Sequence, residues 1–202
     1  MDTPIDFYYD YSSPYGYLAA EQIEAVAARH GAAVAWRPVL LGAVFKVTGA
    51  RPLTEAPLKG TYSAADFRRS AAFYGVPYSP PARFPISTIA AARATLWARA
   101  EAPERYKALA LAFFRAYFRD GRALDEPEVV AAVAAENGFD AVQMMAAISS
   151  DAIKAALKQE VDEAIARGVF GSPYFFVGNE PFWGADRLPM LEAWIARGGW
   201  AY

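Results

Sequence analysis

Three short segments carry side chains able to do chemistry. The first is Ser13-Pro14, which follows Asp10-Tyr11-Ser12 where an aromatic run hands over to a helical one. Amide N–H groups and the positive end of the helix dipole converge at such a junction and stabilise an anion. A serine hydroxyl there can donate a hydrogen bond to a thiolate or carboxylate, but it is a weak nucleophile without a base beside it. From the serine alone, the commoner reading is an ordinary helix N-cap. The second segment is Ser172-Pro173, preceded by Val169-Phe170-Gly171. Most X–Pro bonds are trans; a cis bond here would turn the Ser172 backbone out to pair with an extended peptide. The third, Trp183-Gly184-Ala185-Asp186-Arg187, opens the last helix. Its amides suit an α-carboxylate and Asp186 suits an α-ammonium, the two ends of an amino-acid group. The plainer alternative is an N-cap with Arg187 at the surface.

Other chemistries are excluded by what the chain lacks. It has no cysteine, so disulfide exchange, thiol nucleophiles and zinc–thiolate sites are out. Its single histidine, His30, sits in Ala27-Ala28-Arg29-His30-Gly31, the last turn of a helix before a glycine stop. That position reads as a dipole-favoured helix end rather than a catalytic base. No acidic cluster of calcium-loop type is present, and no metal is expected. With 20 basic and 22 acidic residues and a net charge of −2, there is no basic stripe for nucleic acid. No stretch reaches the ~18 uninterrupted apolar residues of a spanning helix, and the start lacks a leader pattern. The reading is a cytoplasmic protein with no membrane partner.

The elements that must position these segments follow from periodicity. Ile5-Asp6-Phe7-Tyr8-Tyr9 is β-prone, and Pro14 suits the first helical position. Apolar spacing from Leu18 to Ala27 predicts a helix ending at Gly31, and Ala33–Val39 a second strand: a parallel β-α-β start. The middle is rich in alanine and long apolar residues at helical period. Tyr106, Leu109, Phe113, Phe114 and Tyr117 form one face, Val129, Val130 and Val133 another, and Ile153, Leu157 and Val161 a third. The last forty residues return to strands at Tyr174–Val177 and Phe182-Trp183, across Gly178-Asn179-Glu180-Pro181, with Asp186 capping a final helix. The fold class is α/β: a thioredoxin-like domain (β-α-β … α-β-β-α) with an all-helical insertion. Residues 1–46 and 160–202 are expected to form the outer domain, and 47–159 the inserted one. A composition 55% hydrophobic and 15% aromatic can fill such a core.

Taken together, the blocks resemble a known family. Asp6 to Leu18, read as DFYYDYSSPYGYL, resembles the opening of the 2-hydroxychromene-2-carboxylate isomerases, relatives of DsbA and of kappa-class glutathione transferases. Trp36 to Lys46, Lys59-Gly60-Thr61-Tyr62 and Phe84-Pro85-Ile86-Ser87-Thr88 are similar to internal family blocks. Gly168 to Pro173 and Phe182 to Leu188 are similar to the C-terminal signature. The resemblance implies glutathione as cofactor and a small aromatic 2-oxo acid as substrate. The glutathione thiolate, activated by Ser13, adds to a conjugated double bond; rotation follows, and elimination returns the other isomer. By the same resemblance Ser172 beside a cis Pro173 pairs with the glutathione backbone, and Trp183, Gly184, Asp186 and Arg187 hold its γ-glutamyl end. Lys46, Lys59, Tyr62, Phe84, Pro85 and Ser87 are implied as substrate contacts, and a homodimer as the assembly.

Where this sequence departs from the family, Ser87-Thr88 replaces a common asparagine-serine pair and Ala185 a frequent asparagine. Ser12 is a rival to Ser13. Two further readings stand beside the isomerase: a kappa-like glutathione transferase or peroxidase, and a non-catalytic thioredoxin-fold binding protein. A DsbA-type redox role fails, because Ser13-Pro14-Tyr15-Gly16 stands where Cys-x-x-Cys is needed.

Overall fold

The structure, a computed structural model, describes residues 4–201; residues 1–3 and 202, at the ends of the expected outer domain, lie outside the described residues. β1 (Ile5–Tyr9) leads through a short turn to α1 (Pro14–Ala20) and α2 (Ile23–Ala28), then to β2 (Val34–Pro38). The single helix expected up to Gly31 is two helices. At the break, the Gln22 side-chain Nε2 donates back to the Leu18 carbonyl at 2.6 Å, and Arg115 engages the Glu21 carboxylate at 2.7 Å. Gly31 lies just beyond α2 with φ +63°, a conformation that costs glycine little.

After β2 come α3 (Leu41–Thr48) and a 3₁₀ turn at Leu53–Glu55. A helical block follows: α4 (Lys59–Tyr74), α5 (Ile89–Glu101), α6 (Tyr106–Phe118), α7 (Pro127–Glu136), α8 (Ala141–Ser149) and α9 (Asp151–Ala166). The chain then closes with β3 (Tyr174–Val177), β4 (Glu180–Trp183), a 3₁₀ turn at Ala185–Arg187 and α10 (Leu188–Arg197). Strand order is β2-β1-β3-β4, with β1 parallel to β2 and antiparallel to β3, and β3 antiparallel to β4. This is a thioredoxin-like α/β fold carrying a helical insertion. Among the described residues, no helix is long and apolar enough to cross a membrane.

The alternation of β1 explains why the sheet is covered on both faces. Ile5, Phe7 and Tyr9 are fully buried against the larger core, while Tyr8 packs with Val39, Ala164, Val169 and Phe176 on the other side. On the first face the rings interlock. Phe7 stacks on Phe175 at 5.2 Å and meets the edge of Trp36 at 5.0 Å, and Tyr9 and Tyr11 both reach Phe114 on α6. Aromatic pairs add roughly 0.5–1.5 kcal/mol each beyond their buried area. The inserted helices therefore share one core with the sheet.

Charge ties the second face to the helical block. Arg37 on β2 bridges Asp6 at 2.8 Å and Glu160 at 3.1 Å, and Arg99 on α5 reaches the other Glu160 oxygen at 2.7 Å. Glu160 is buried, at 7% exposure, whereas the two arginine side chains are about a third exposed. Removing a buried carboxylate leaves its partners uncompensated. Glu160→Ala should lower unfolding free energy by about 2 kcal/mol in urea, below the usual range for a buried pair because solvent reaches both arginines.

Candidate functional site

The strand-to-helix turn, the Ser172-Pro173 turn and the β4-to-α10 turn converge on one cleft of about 1050 Å³. Its floor holds Ser13 and Ser172. Ser13 is the N-cap of α1: its Oγ accepts the Gly16 amide at 3.0 Å and donates to the Ser172 carbonyl at 2.8 Å. Ser172 Oγ accepts the Asp10 amide at 3.0 Å. Ser12, the rival, donates its hydroxyl to the Asp10 carboxylate at 2.9 Å. The cap and the chemistry are compatible. The Gly16 amide fixes where Ser13 Oγ sits, while the single hydroxyl proton can swing from the Ser172 carbonyl to a ligand in the cleft.

A glycine permits this close approach. A Cβ at Gly16 would lie 3.0 Å from Ser172 Oγ and 3.1 Å from Ser13 Cβ. The Ser172–Pro173 bond is cis, as is Phe84–Pro85. The Ser172 carbonyl is taken by Ser13, and its amide has no hydrogen-bond partner among the described residues. Pairing of Tyr174 with Trp183 across the β3–β4 hairpin brings the third segment alongside, and the Gly184 amide donates to the Pro173 carbonyl at 3.0 Å. Gly184 has φ +111°, and a Cβ there would meet Asp186 Oδ1 at 2.4 Å. Asp186 does not cap the final helix as expected. It lies in the 3₁₀ turn, pairs with Arg187 at 3.1 Å and faces the cleft, while α10 begins two residues later with a proline at its start.

The opposite wall comes from α3 and α4. Leu41, Phe45 and Thr48 lie on one stripe of α3, and Lys59, Asp66, Phe67, Ser70 and Tyr74 on one stripe of α4. Helical spacing decides which predicted contacts reach the cleft. Lys59, Phe84 and Pro85 line it; Lys46, one residue past Phe45 and so about 100° round α3, is exposed and does not. Tyr62 is 64% exposed and touches the site only through its hydroxyl, which donates to Asp66 at 3.3 Å. Ser87 lines a separate pocket of about 320 Å³ with Arg93 and Met145. His30 lies outside the cleft and pairs with Glu192 at 3.2 Å, linking the end of α2 to α10.

Several cleft residues were not singled out from the sequence as site residues. Tyr15 donates to Asp66 at 2.5 Å, and Arg69 adds a second bond at 2.7 Å. Those bonds hold the Asp66 carboxyl below its ordinary range, while burial and the adjacent carboxylate push the Tyr15 hydroxyl up. Asp66 and Asp186 thus each have a cation, whereas Arg51 and Lys59 on the rim have no ion-pair partner among the described residues. Only the i, i+7 spacing of Lys59 and Asp66 could have signalled the Asp66 contact. Just before Lys59, Leu58 is 95% exposed with φ +65° and ψ −38°, and the Lys59 amide donates to the Pro57 carbonyl at 2.8 Å. This is a γ-turn in a conformation unfavourable for a side chain, placed where the rim cation enters.

Residues 4–196 match the DSBA-like thioredoxin domain. A 2-hydroxychromene-2-carboxylate isomerase of Sphingobium xenophagum is 31% identical over 96% of this chain and 99% of its own. The chain belongs to the DSBA-like thioredoxin family, alongside these isomerases. A solved 2-hydroxychromene-2-carboxylate isomerase superposes with a TM-score of 0.85 at 30% identity, covering 96% of this chain and 94% of that one. Glutathione S-transferase kappa 1 of Caenorhabditis elegans is 25% identical over 93% of this chain and 88% of its own. Within this DSBA-like scaffold the redox cysteines are absent and a capped serine stands at the turn. Because Ser13 Oγ also caps α1, Ser13→Ala should cost about 1 kcal/mol of stability in denaturant unfolding without changing the fold. A loss above about 3 kcal/mol would mean that Ser13 holds more of the structure than its two hydrogen bonds.

Proposed function

We propose that the protein is a glutathione-dependent cis/trans isomerase of an aromatic 2-oxo acid, of the 2-hydroxychromene-2-carboxylate type, with Ser13 activating the cofactor's thiol. The observation that carries this reading is the meeting of the Ser13 hydroxyl with the Ser172 turn on the floor of a cleft whose far end holds Trp183–Arg187. The likeness to relatives named as that isomerase supports the substrate class, and the kappa transferase relatives support glutathione.

The residues fit a γ-glutamyl tripeptide. The unpaired Ser172 amide offers a donor to an extended backbone, and the glycine at 184 keeps the turn beside Asp186 and Arg187 open. Bound glutathione would supply a thiolate able to add reversibly to a conjugated double bond, which splits one hard rotation into easier steps. Ser13 turns its hydroxyl proton from the Ser172 carbonyl toward the sulfur, and the Gly16 amide holds the oxygen in place meanwhile. Lys59 and Arg51 face the substrate carboxylate, for which a guanidinium fork or an ammonium is suited. Phe84, Pro85, Phe67 and Phe45 form the apolar wall against its ring. Lys46, Tyr62 and Ser87 have no direct part in this reading.

The second reading, a kappa-like transferase, rests on the same activated thiol and on the kappa relatives. The two differ in whether glutathione is returned or leaves as a conjugate. Titration with glutathione should give a saturable thiolate absorbance at neutral pH in the wild type and none in Ser13→Ala. Turnover of 2-hydroxychromene-2-carboxylate should fall roughly a hundredfold in that variant, the usual effect of deleting one anion-stabilising donor. Full recovery of free glutathione after turnover supports isomerisation; a stoichiometric conjugate favours the transferase. A wild type that binds no glutathione overturns both.

A further inference from the structure

Asp10 is 3% exposed and has no cationic partner among the described residues. Isolated buried carboxylates are costly unless fully hydrogen-bonded. Here one oxygen accepts the Ser12 amide at 2.8 Å, the Ser12 hydroxyl at 2.9 Å and the Thr88 hydroxyl at 2.8 Å. The other accepts the Leu41 amide at 2.6 Å. The backbone of the same residue makes two more ties: its amide donates to Ser172 Oγ at 3.0 Å, and its carbonyl accepts the Ser13 amide at 2.9 Å. Asp10 therefore touches the Ser12-Ser13 turn, the Ser172 turn, the first residue of α3 and the residue before α5.

Thr88 sharpens the point. It occupies the N-cap position of α5, where a threonine hydroxyl ordinarily bonds its own helix, yet it makes no such bond and donates to Asp10 instead. Ser172 Oγ is likewise engaged by Asp10, accepting its backbone amide. Burial raises the Asp10 carboxyl above its ordinary value, and the four donors oppose that rise.

We infer that Asp10 is a positioning residue, whose carboxylate sets the placement of Ser13 and of the α3 rim relative to the Ser172 turn. The inference rests on the reading of Ser13 as the thiol-activating group. Asparagine is isosteric but replaces one acceptor oxygen with a donor. In Asp10→Asn, either the Leu41 amide or the Ser12–Thr88 set must lose its acceptor.

The test is glutathione titration and steady-state kinetics on Asp10→Asn, Thr88→Val and Thr88→Ser. Asp10→Asn should lower kcat roughly tenfold or more, with a smaller change in KM, as expected when a reacting group is misplaced. It should also raise the pKa of the bound thiol. Removing a negative charge near a thiolate would by itself lower that pKa, so the sign separates positioning from plain electrostatics. Thr88→Val should shift both quantities the same way by less, and Thr88→Ser should restore them; this pair decides the matter if Asp10→Asn does not fold. Wild-type kcat and thiol pKa in folded Asp10→Asn and Thr88→Val, or a thiol pKa that falls, would overturn the inference. If the wild type gives no thiolate signal, the glutathione reading fails instead. The positioning claim is then read from hydrogen exchange of the Ser12 and Leu41 amides, faster in Asp10→Asn if the carboxylate holds them and unchanged if it does not.

Discussion

Where β1 leaves the sheet it carries a carboxylate into the interior, and the turns around the cleft are arranged to supply that carboxylate with donors. Asp10 follows Tyr9, a fully buried strand residue, and is itself only 3% exposed. A buried charge must be hydrogen-bonded or neutralised. The donors come from three places apart in sequence: the turn itself, Leu41 at the head of α3 and Thr88 before α5, while the Asp10 backbone amide donates in turn to Ser172 Oγ. Satisfying one residue thus ties the Ser13 turn to the Ser172 turn and to the heads of α3 and α5.

The aromatic core makes that arrangement stiff. Phe7, Tyr9 and Tyr11 sit in one buried run with Trp36, Phe114 and Phe175, and the Tyr11 hydroxyl is held by Thr95 on α5 at 2.5 Å. The inserted helices are therefore anchored to the same strand that leads into Asp10 and Ser13. Movement of α5 or α6 against the sheet would unpack rings on both sides. Interiors packed to this density transmit displacements rather than absorb them. The rim behaves differently. Residues 49–59 are mostly exposed, carry Arg51 and Lys59, which have no ion-pair partner among the described residues, and include the positive-φ Leu58, so the cationic side of the cleft is built on the less buried wall.

The cleft is that of a thioredoxin-like scaffold without the fold's redox thiols. A cysteine pair would supply its own sulfur and its own leaving group. With serine at that turn and no cysteine in the chain there is no redox couple, so any sulfur chemistry must arrive with a ligand. Ser13 serves as both cap and donor because a hydroxyl accepts and donates through different directions.

Much of this was legible in the chain. The strand-like runs, the Ser13 N-cap, the helical stripes of α6, α7 and α9 and the three site-bearing segments follow from local periodicity and turn chemistry, which depend on neighbours within a few residues. The blocks at both ends carried the family resemblance for the same reason. The residues lining the far wall were less accessible. Lys46 lies in a block that borders the cleft, but one helical step turns it away, and Tyr62 reaches the site only through Asp66, while Arg51 and Asp66 face in without any motif to mark them. Asp10 stands in the sequence only as the residue that leads into the Ser12-Ser13 turn, and its ties to Leu41, Thr88 and Ser172 span 31, 78 and 162 positions. The sequence by itself determined which side chains stand at the turns. The tertiary structure alone decided which of them meet, because burial of β1 brings distant donors to one carboxylate and no local pattern encodes that demand.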